Sequence, residues 1–263
     1  MSLKKIIGAI YKADTDYNLI QNGDRICVGV SGGKDSILLL YALSIYQKAA
    51  KRISGKEFSV IGIHLEMGFS DMDFTEVRKF MKEHDIEYID YPTKLYDILQ
   101  LHPNQKNGNI QCSLCSTLKK GAIVKAAQEY NCNKTAFAHH ADDAIETLFM
   151  NMIYGGRIST FTPAMYLKNS GMGFIRPFVY VYEDEIKNTI RHEQLPVVKS
   201  TCPNDGFTKR QDTKELLANI YQTYPFAKKN FLTSLSNQEQ IKLWVKGEDW
   251  ENTNKQLDIQ SYI

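Results

Sequence analysis

Two short segments concentrate side chains able to handle phosphate. The first, Ser31-Gly32-Gly33-Lys34-Asp35-Ser36, follows a strand candidate from Arg25 to Val30 and precedes a run of helix formers from Ser36 to Tyr46. Its glycines let backbone amides approach an anion closely, and the helix that follows points its positive end at that anion. Ser31 and Ser36 add hydroxyl donors, and Lys34 can neutralise phosphate charge. The spacing is not that of a Walker A loop, which places four residues between its first glycine and the Gly-Lys pair. A plain strand-to-helix turn is the alternative, but a turn has no need of so compact a donor cluster.

The second segment runs from Ala138 to Thr147, AHHADDAIET, and compresses His139, His140, Asp142, Asp143 and Glu146 across a strand-to-helix junction. Hard cations favour oxygen ligands, so this cluster suits a magnesium ion beside polyphosphate; the alternative is a polar helix cap. A third group is Cys112-Ser113-Leu114-Cys115, with two thiols one turn apart on a helix, while Cys202 stands outside any local motif. Thiolates suit zinc or an iron-sulfur cluster, and an isolated CxxC pair also serves redox or structural roles. Cys27 and Cys132 lie in or beside apolar segments and read as buried, inert thiols.

These groups need a frame. Apolar runs at Phe58 to Leu65, Ile86 to Ile89 and Thr135 to Ala138 read as buried strands, with another brief one around Val197 and Val198. Between them, helical spacing is predicted at Asp73 to His84, at Leu114, Leu118, Ala122 and Ala126, from Asp142 to Ile153, from Glu183 to Gln194 and after Thr208. Strands alternating with helices specify a predominantly parallel α/β core. Leu101 to Gln111 reads as a loop, and Pro163, Gly171, Gly173 and Pro177 punctuate a central connection. The organisation expected is an amino-terminal segment at 1–20, a catalytic domain at 21–222 and a helical carboxy-terminal extension at 223–263.

Composition narrows the class. With 263 residues, 43% of them hydrophobic, the chain is long enough for a real core, and disordered, collagenous and coiled-coil readings fall away. Lys and Arg number 32 against 30 Asp and Glu, so gross charge alone does not argue for a nucleic-acid partner. No apolar run is long enough for a bilayer-spanning helix, and the amino terminus lacks a secretory core, which points to the cytoplasm. An odd cysteine count with one close pair fits reduced thiols or a metallocentre rather than a secreted disulfide framework.

SGGKDS resembles the loop of the PP-loop ATP pyrophosphatases, whose fold is of the adenine nucleotide alpha-hydrolase type. The resemblance implies that Ser31, Gly32, Gly33, Lys34, Asp35 and Ser36 hold the pyrophosphate of ATP, and that ATP activates a carbonyl oxygen by adenylation. It places His64 at the adenosine pocket. It also matches His140, Asp142, Asp143, Glu146 and Thr147 to the family's HxxDDxxET motif, with Asp143 the first magnesium ligand and Asp35 a second.

From Gly23 through Gln211 the chain is similar to TtcA-type tRNA thiolation enzymes, which make 2-thiocytidine in the anticodon loop. The stretches that carry the similarity are CSLCSTLKKG, HHADDAIETLFMNMIYGGR, IRPF and the region of Cys202 with Lys209-Arg210-Gln211. The similarity implies a 4Fe-4S cluster on Cys112, Cys115 and Cys202, whose open iron presents sulfide, and it implies a homodimer. A cysteine desulfurase or free sulfide would supply the sulfur. Around Cys202 this chain has no second cysteine of the kind the family usually carries.

Candidate tRNA contacts are Lys119, Lys120, Lys209, Arg210 and the pair Lys228-Lys229 for phosphates, with Tyr154 and Arg157 placed to meet a splayed base. Two other functions fit part of the pattern. A lysidine synthetase shares the phosphate loop and AHHADD but leaves the three cysteines without a role. A non-catalytic RNA-binding iron-sulfur redox sensor would bind ATP without turnover.

Overall fold

The computed structural model describes residues 3–68, 72–102, 111–199, 201, 209–237 and 239, with Cys112 described in its backbone only. Six strands form one sheet in the order β3-β2-β1-β4-β6-β5. They are β1 (Arg25–Gly29), β2 (Ser59–Glu66), β3 (Glu87–Pro92), β4 (Lys134–Ala136), β5 (Ala164–Leu167) and β6 (Met172–Ile175). All neighbours are parallel except β5, which runs antiparallel to β6.

The helices are α1 (Leu3–Tyr17), α2 (Lys34–Ser54), α3 (Thr75–Glu83), α4 (Leu95–Leu101), α5 (Cys112–Glu129), α6 (Ala141–Gly155), α7 (Glu183–His192), α8 (Lys209–Thr223) and α9 (Ala227–Ser234). The central strands β1, β2, β4 and β6 are mostly buried, and strand alternation divides the core. Ile26, Val28 and Val60 face a large cluster with Leu39, Leu43, Val77 and Ile186, drawn from α2, α3 and α7. Cys27, Ile61 and Ile63 face the opposite cluster with Ile123, Ala126 and Ala127 of α5. Gly62 of β2 shows how closely α2 lies on the sheet, because a Cβ there would collide with Leu40 Cδ2.

Most predicted elements are present, although α2 runs on to Ser54, well past its expected end at Tyr46, and α4 is an addition to the predicted set; three further features differ. Val197 and Val198 form no strand; Val198 N–H instead donates to the Gly32 carbonyl at 2.9 Å. The punctuated central connection is a hairpin, β5 and β6, which extends the sheet beside β4. The segment expected as a loop from Leu101 begins at the last residue of α4, while 103–110 lie outside the described residues. The amino-terminal segment is part of the core: Ile6, Ile10 and Ala13 of α1 are buried, and Asp14 accepts bonds from Ile20 N–H, Tyr46 Oη and Lys56 Nζ.

The chain runs outward from β1 through β2 to β3, then crosses to the other side of β1 with β4. Open α/β sheets bind ligands outside the carboxyl ends of their strands at such a switch point. The phosphate loop follows β1 and the acidic motif follows β4, so topology delivers both motifs to this crevice.

Candidate nucleotide and metal site

Ser36, in the first turn of α2, braces the loop. Its hydroxyl donates to the Gly33 carbonyl at 3.0 Å and accepts from Ser31 N–H and the Ser31 hydroxyl, each at 3.1 Å. Gly33 N–H donates to Ser31 Oγ at 3.4 Å. Gly32 has φ +86°, and a Cβ there would stand 2.9 Å from both Phe74 Cζ and Val198 Cβ. Conformation and space therefore both require glycine at this position.

Lys34 reaches two carboxylates, Asp35 Oδ2 at 3.0 Å and Glu183 Oε1 at 3.3 Å. Burial works against its charge, but Asp35 and Glu183 outweigh that and raise its pKa, so it stays an ammonium ion. Glu183, the first residue of α7, also pairs with Lys214 at 2.7 Å and Lys187 at 3.1 Å. Burial alone would raise its pKa, yet Lys214, Lys187 and Lys34 together hold it down at about 2. Its N–H donates to Asp142 Oδ2 at 2.8 Å, which ties α7 to the head of α6.

At that head, His140 and Asp143 form a reciprocal cap. His140 N–H donates to Asp143 Oδ2 at 3.0 Å, and Asp143 N–H donates to His140 Nδ1 at 3.4 Å. With Nδ1 accepting, Nε2 is the ring nitrogen left to donate. That atom lies 3.5 Å from Asp143 Oδ2 and 4.0 Å from Asp35 Oδ1. Asp35 Oδ1 is buried without a hydrogen-bond partner among the described residues. A buried acceptor left so costs about 1–3 kcal/mol. An oxygen acceptor at the meeting point of two motifs fits a hard cation, and Asp35 and Asp143 are the residues there that could hold one.

Two histidines flank this centre in neutral form. His64, at the end of β2, donates from Nδ1 to the Val30 carbonyl at 2.9 Å and stacks on Phe74 with ring centroids 3.7 Å apart. Burial lowers its pKa, leaving Nε2 as an acceptor. Burial pushes His139 further, down to about 4.

Arg210 is placed differently from its reading as an RNA contact. Its Nη1 donates to Asp143 Oδ1 at 3.0 Å and Glu146 Oε2 at 2.9 Å, and its Nη2 donates to Thr147 Oγ1 at 3.3 Å. The reason is electrostatic: α8 packs on α6, whose acidic first turns supply the anions nearest to it. Lys228 likewise pairs with Asp142 and lies over the Tyr182 ring at 4.8 Å. Lys119, Lys120 and Lys229 are exposed, as is Arg157 just beyond α6. Tyr154 is half exposed, with the Lys209 ammonium 4.5 Å over its ring.

Of the cysteines, Cys112 opens α5 and Cys115 follows one turn later as a buried free thiol. Cys202 lies outside the described residues. A donor set that begins with two thiols at the head of one helix suits a soft-metal centre. Cys27 and Cys132 are buried in the core, with Cys132 pushed up to about 11 chiefly by burial, which matches inert thiols. Nothing local in the sequence marks Glu183, Lys214 or Lys187 as a site residue; three acidic residues open α7, and their types alone do not say which one turns inward.

The PP-loop domain family matches residues 4–210. A protein of Citrifermentans bemidjiense named tRNA-cytidine(32) 2-sulfurtransferase is 35% identical over 245 residues, spanning 92% of this chain and 94% of that relative. One of the same name from Geotalea uraniireducens is 36% identical over 235 residues, spanning 89% and 91%. The chain belongs to the PP-loop tRNA-cytidine(32) 2-sulfurtransferase family. The family's fold extends to the U34-tRNA thiolase NcsA of Methanococcus maripaludis, solved with its 4Fe-4S cluster. That structure has a TM-score of 0.69 and 23% identity, covering 92% of this chain and 80% of NcsA. Among the described residues no helix is long and apolar enough to cross a membrane.

Proposed function

We propose that this chain is an ATP-dependent tRNA sulfurtransferase that adenylates a cytidine of the anticodon loop and replaces its 2-oxygen with sulfur. The observation that carries the reading is the similarity to relatives of that name over about nine-tenths of the chain, joined to a site whose two phosphate-handling motifs meet at one sheet crevice. The lysidine-synthetase and redox-sensor alternatives gain no specific support.

In this reading the loop amides, Ser31, Ser36 and Lys34 bind the β- and γ-phosphates of ATP. Asp35 and Asp143 hold magnesium, which supplies charge neutralisation on the polyphosphate. His64 lines the adenosine side from β2. His140 orients Asp143 through the cap and presents Nε2–H toward Asp35. Glu183 keeps Lys34 charged and in place. The cytidine O2 attacks the α-phosphorus, pyrophosphate leaves, and AMP leaves when sulfur adds at C2.

Cys112, Cys115 and Cys202 would hold a 4Fe-4S cluster, which when bound supplies an iron site for sulfide beyond the three protein thiolates. Lys119, Lys120, Tyr154, Arg157 and Lys209 form the RNA-facing set, with a cytoplasmic homodimer as the working assembly and sulfide or a desulfurase as donor. Analysis of nucleotide products with tRNA present tests the activation step: AMP and pyrophosphate are expected, and obligate ADP and phosphate would contradict it.

A further inference from the structure

Asp143 already has a cation. Arg210 Nη1 lies 3.0 Å from Asp143 Oδ1 and 2.9 Å from Glu146 Oε2, while Oδ2 of Asp143 accepts from the His140 amide. Both oxygens of this carboxylate are thus engaged within the protein. Glu146 is buried, and Arg210 opposes the upward shift that burial imposes on its pKa. The guanidinium thus bridges two carboxylates that stand one helical turn apart on α6.

We propose that Arg210 is the resident counter-cation of the Asp143–Glu146 pair, and that a divalent metal entering at Asp143 displaces it, coupling metal occupancy to the docking of α8. The inference rests on the reading of Asp143 as a magnesium ligand given above. Magnesium binds carboxylate oxygen at about 2.0–2.1 Å. A guanidinium hydrogen-bonded to the other oxygen of the same carboxylate would then face a dication across one carboxylate group, and like charges at that range repel strongly.

Release of Arg210 reaches α8 directly. Arg210 stands in its first turn, Lys214 one turn later pairs with Glu183, and Lys228 of α9 pairs with Asp142. These two helices therefore meet the acidic motif through cations seated on its carboxylates, and the Arg210 contact competes with the metal. Coupling of this kind is reciprocal: whatever factor Arg210 takes from metal affinity, metal takes from the hold of Arg210 on α6.

The test is magnesium titration by calorimetry of the full chain saturated with a non-hydrolysable ATP analogue, as wild type, Arg210→Gln and Arg210→Lys. Arg210→Gln removes the competing charge and is expected to bind magnesium about fivefold to tenfold more tightly, within the range typical of coupled sites. Arg210→Lys keeps a cation and should stay near wild type. A merely structural role for Arg210 can weaken the site but cannot tighten it. Hydrogen exchange supplies the reciprocal measurement, with amides of residues 211–217 exchanging faster when magnesium is added to the analogue-bound wild type. Unchanged or weaker magnesium binding by a folded Arg210→Gln protein overturns the proposal. Should that variant fail to fold, unchanged exchange of 211–217 in the wild type does so. If no protein binds magnesium, the proposal falls, and binding of the analogue alone shows whether the nucleotide reading survives it.

Discussion

His140 Nε2 stands 4.0 Å from Asp35 Oδ1, an oxygen that finds no partner among the described residues. The two residues come from motifs more than a hundred positions apart, one after β1 and one after β4, and the switch in strand order makes them neighbours. Their meeting locates the candidate metal more narrowly than either motif does alone.

Replacing Asp35 or Asp143 by Asn keeps shape and removes charge where the polyphosphate must be neutralised. Each variant should lower the rate of AMP formation by about 10²-fold, the scale seen when one preorganised electrostatic group is lost. Its affinity for tRNA should change far less. Steady-state product release and filter binding on the same preparations check the split; parallel losses would remove these carboxylates from the activation step.

Gly32→Ala should destabilise the protein as well as the site. The substitution places a Cβ at φ +86° and 2.9 Å from Phe74 Cζ and Val198 Cβ. A cost of about 1–3 kcal/mol is expected, read as a lowered urea midpoint at unchanged m-value. Gly8→Ala, where a Cβ would meet nothing within 4 Å, is the matched control and should not destabilise.

Glu183 governs an acid limb. Its carboxyl is held at about 2, below the ordinary 4.5, by Lys214, Lys187 and Lys34 acting against burial. A depressed acid contributes stability that is full above the unfolded value and is lost as pH falls through the folded one, on the order of 3 kcal/mol for this shift. Glu183→Gln should therefore be less stable than wild type from pH 5 upward, and the gap should close between about pH 4.5 and 2. Urea unfolding at a series of pH values measures it, and a gap independent of pH would contradict the assignment.

What local chemistry determines is legible in the sequence. The glycine-serine loop, the acidic helix head and the parallel core follow from residue type and spacing near each position, and all three stand where expected. Pairings set by tertiary packing were not legible. Arg210 read as a surface cation because its partners lie more than sixty residues earlier, on α6. Val197 and Val198 have strand-like side chains, yet the Val198 amide is used to hold Gly32. The β5–β6 hairpin was obscured because its glycines and prolines read as loop punctuation; Gly171 turns the hairpin at φ +64°. Glu183 was hidden among three adjacent acidic residues, and only the approach of α8 and of Lys34 distinguishes it.

The central claim is sulfur transfer to cytidine by a site that joins ATP activation to the three cysteines. Its most direct test is mass spectrometry of nucleosides from tRNA incubated anaerobically with reconstituted protein, ATP, magnesium and sulfide, for wild type and for Cys112→Ala, Cys115→Ala and Cys202→Ala. The wild type is expected to yield cytidine with sulfur in place of oxygen, and none of the three variants is expected to give that product. Lysine addition, sulfur on another base, or normal thiolation by the Cys202→Ala protein would contradict that claim.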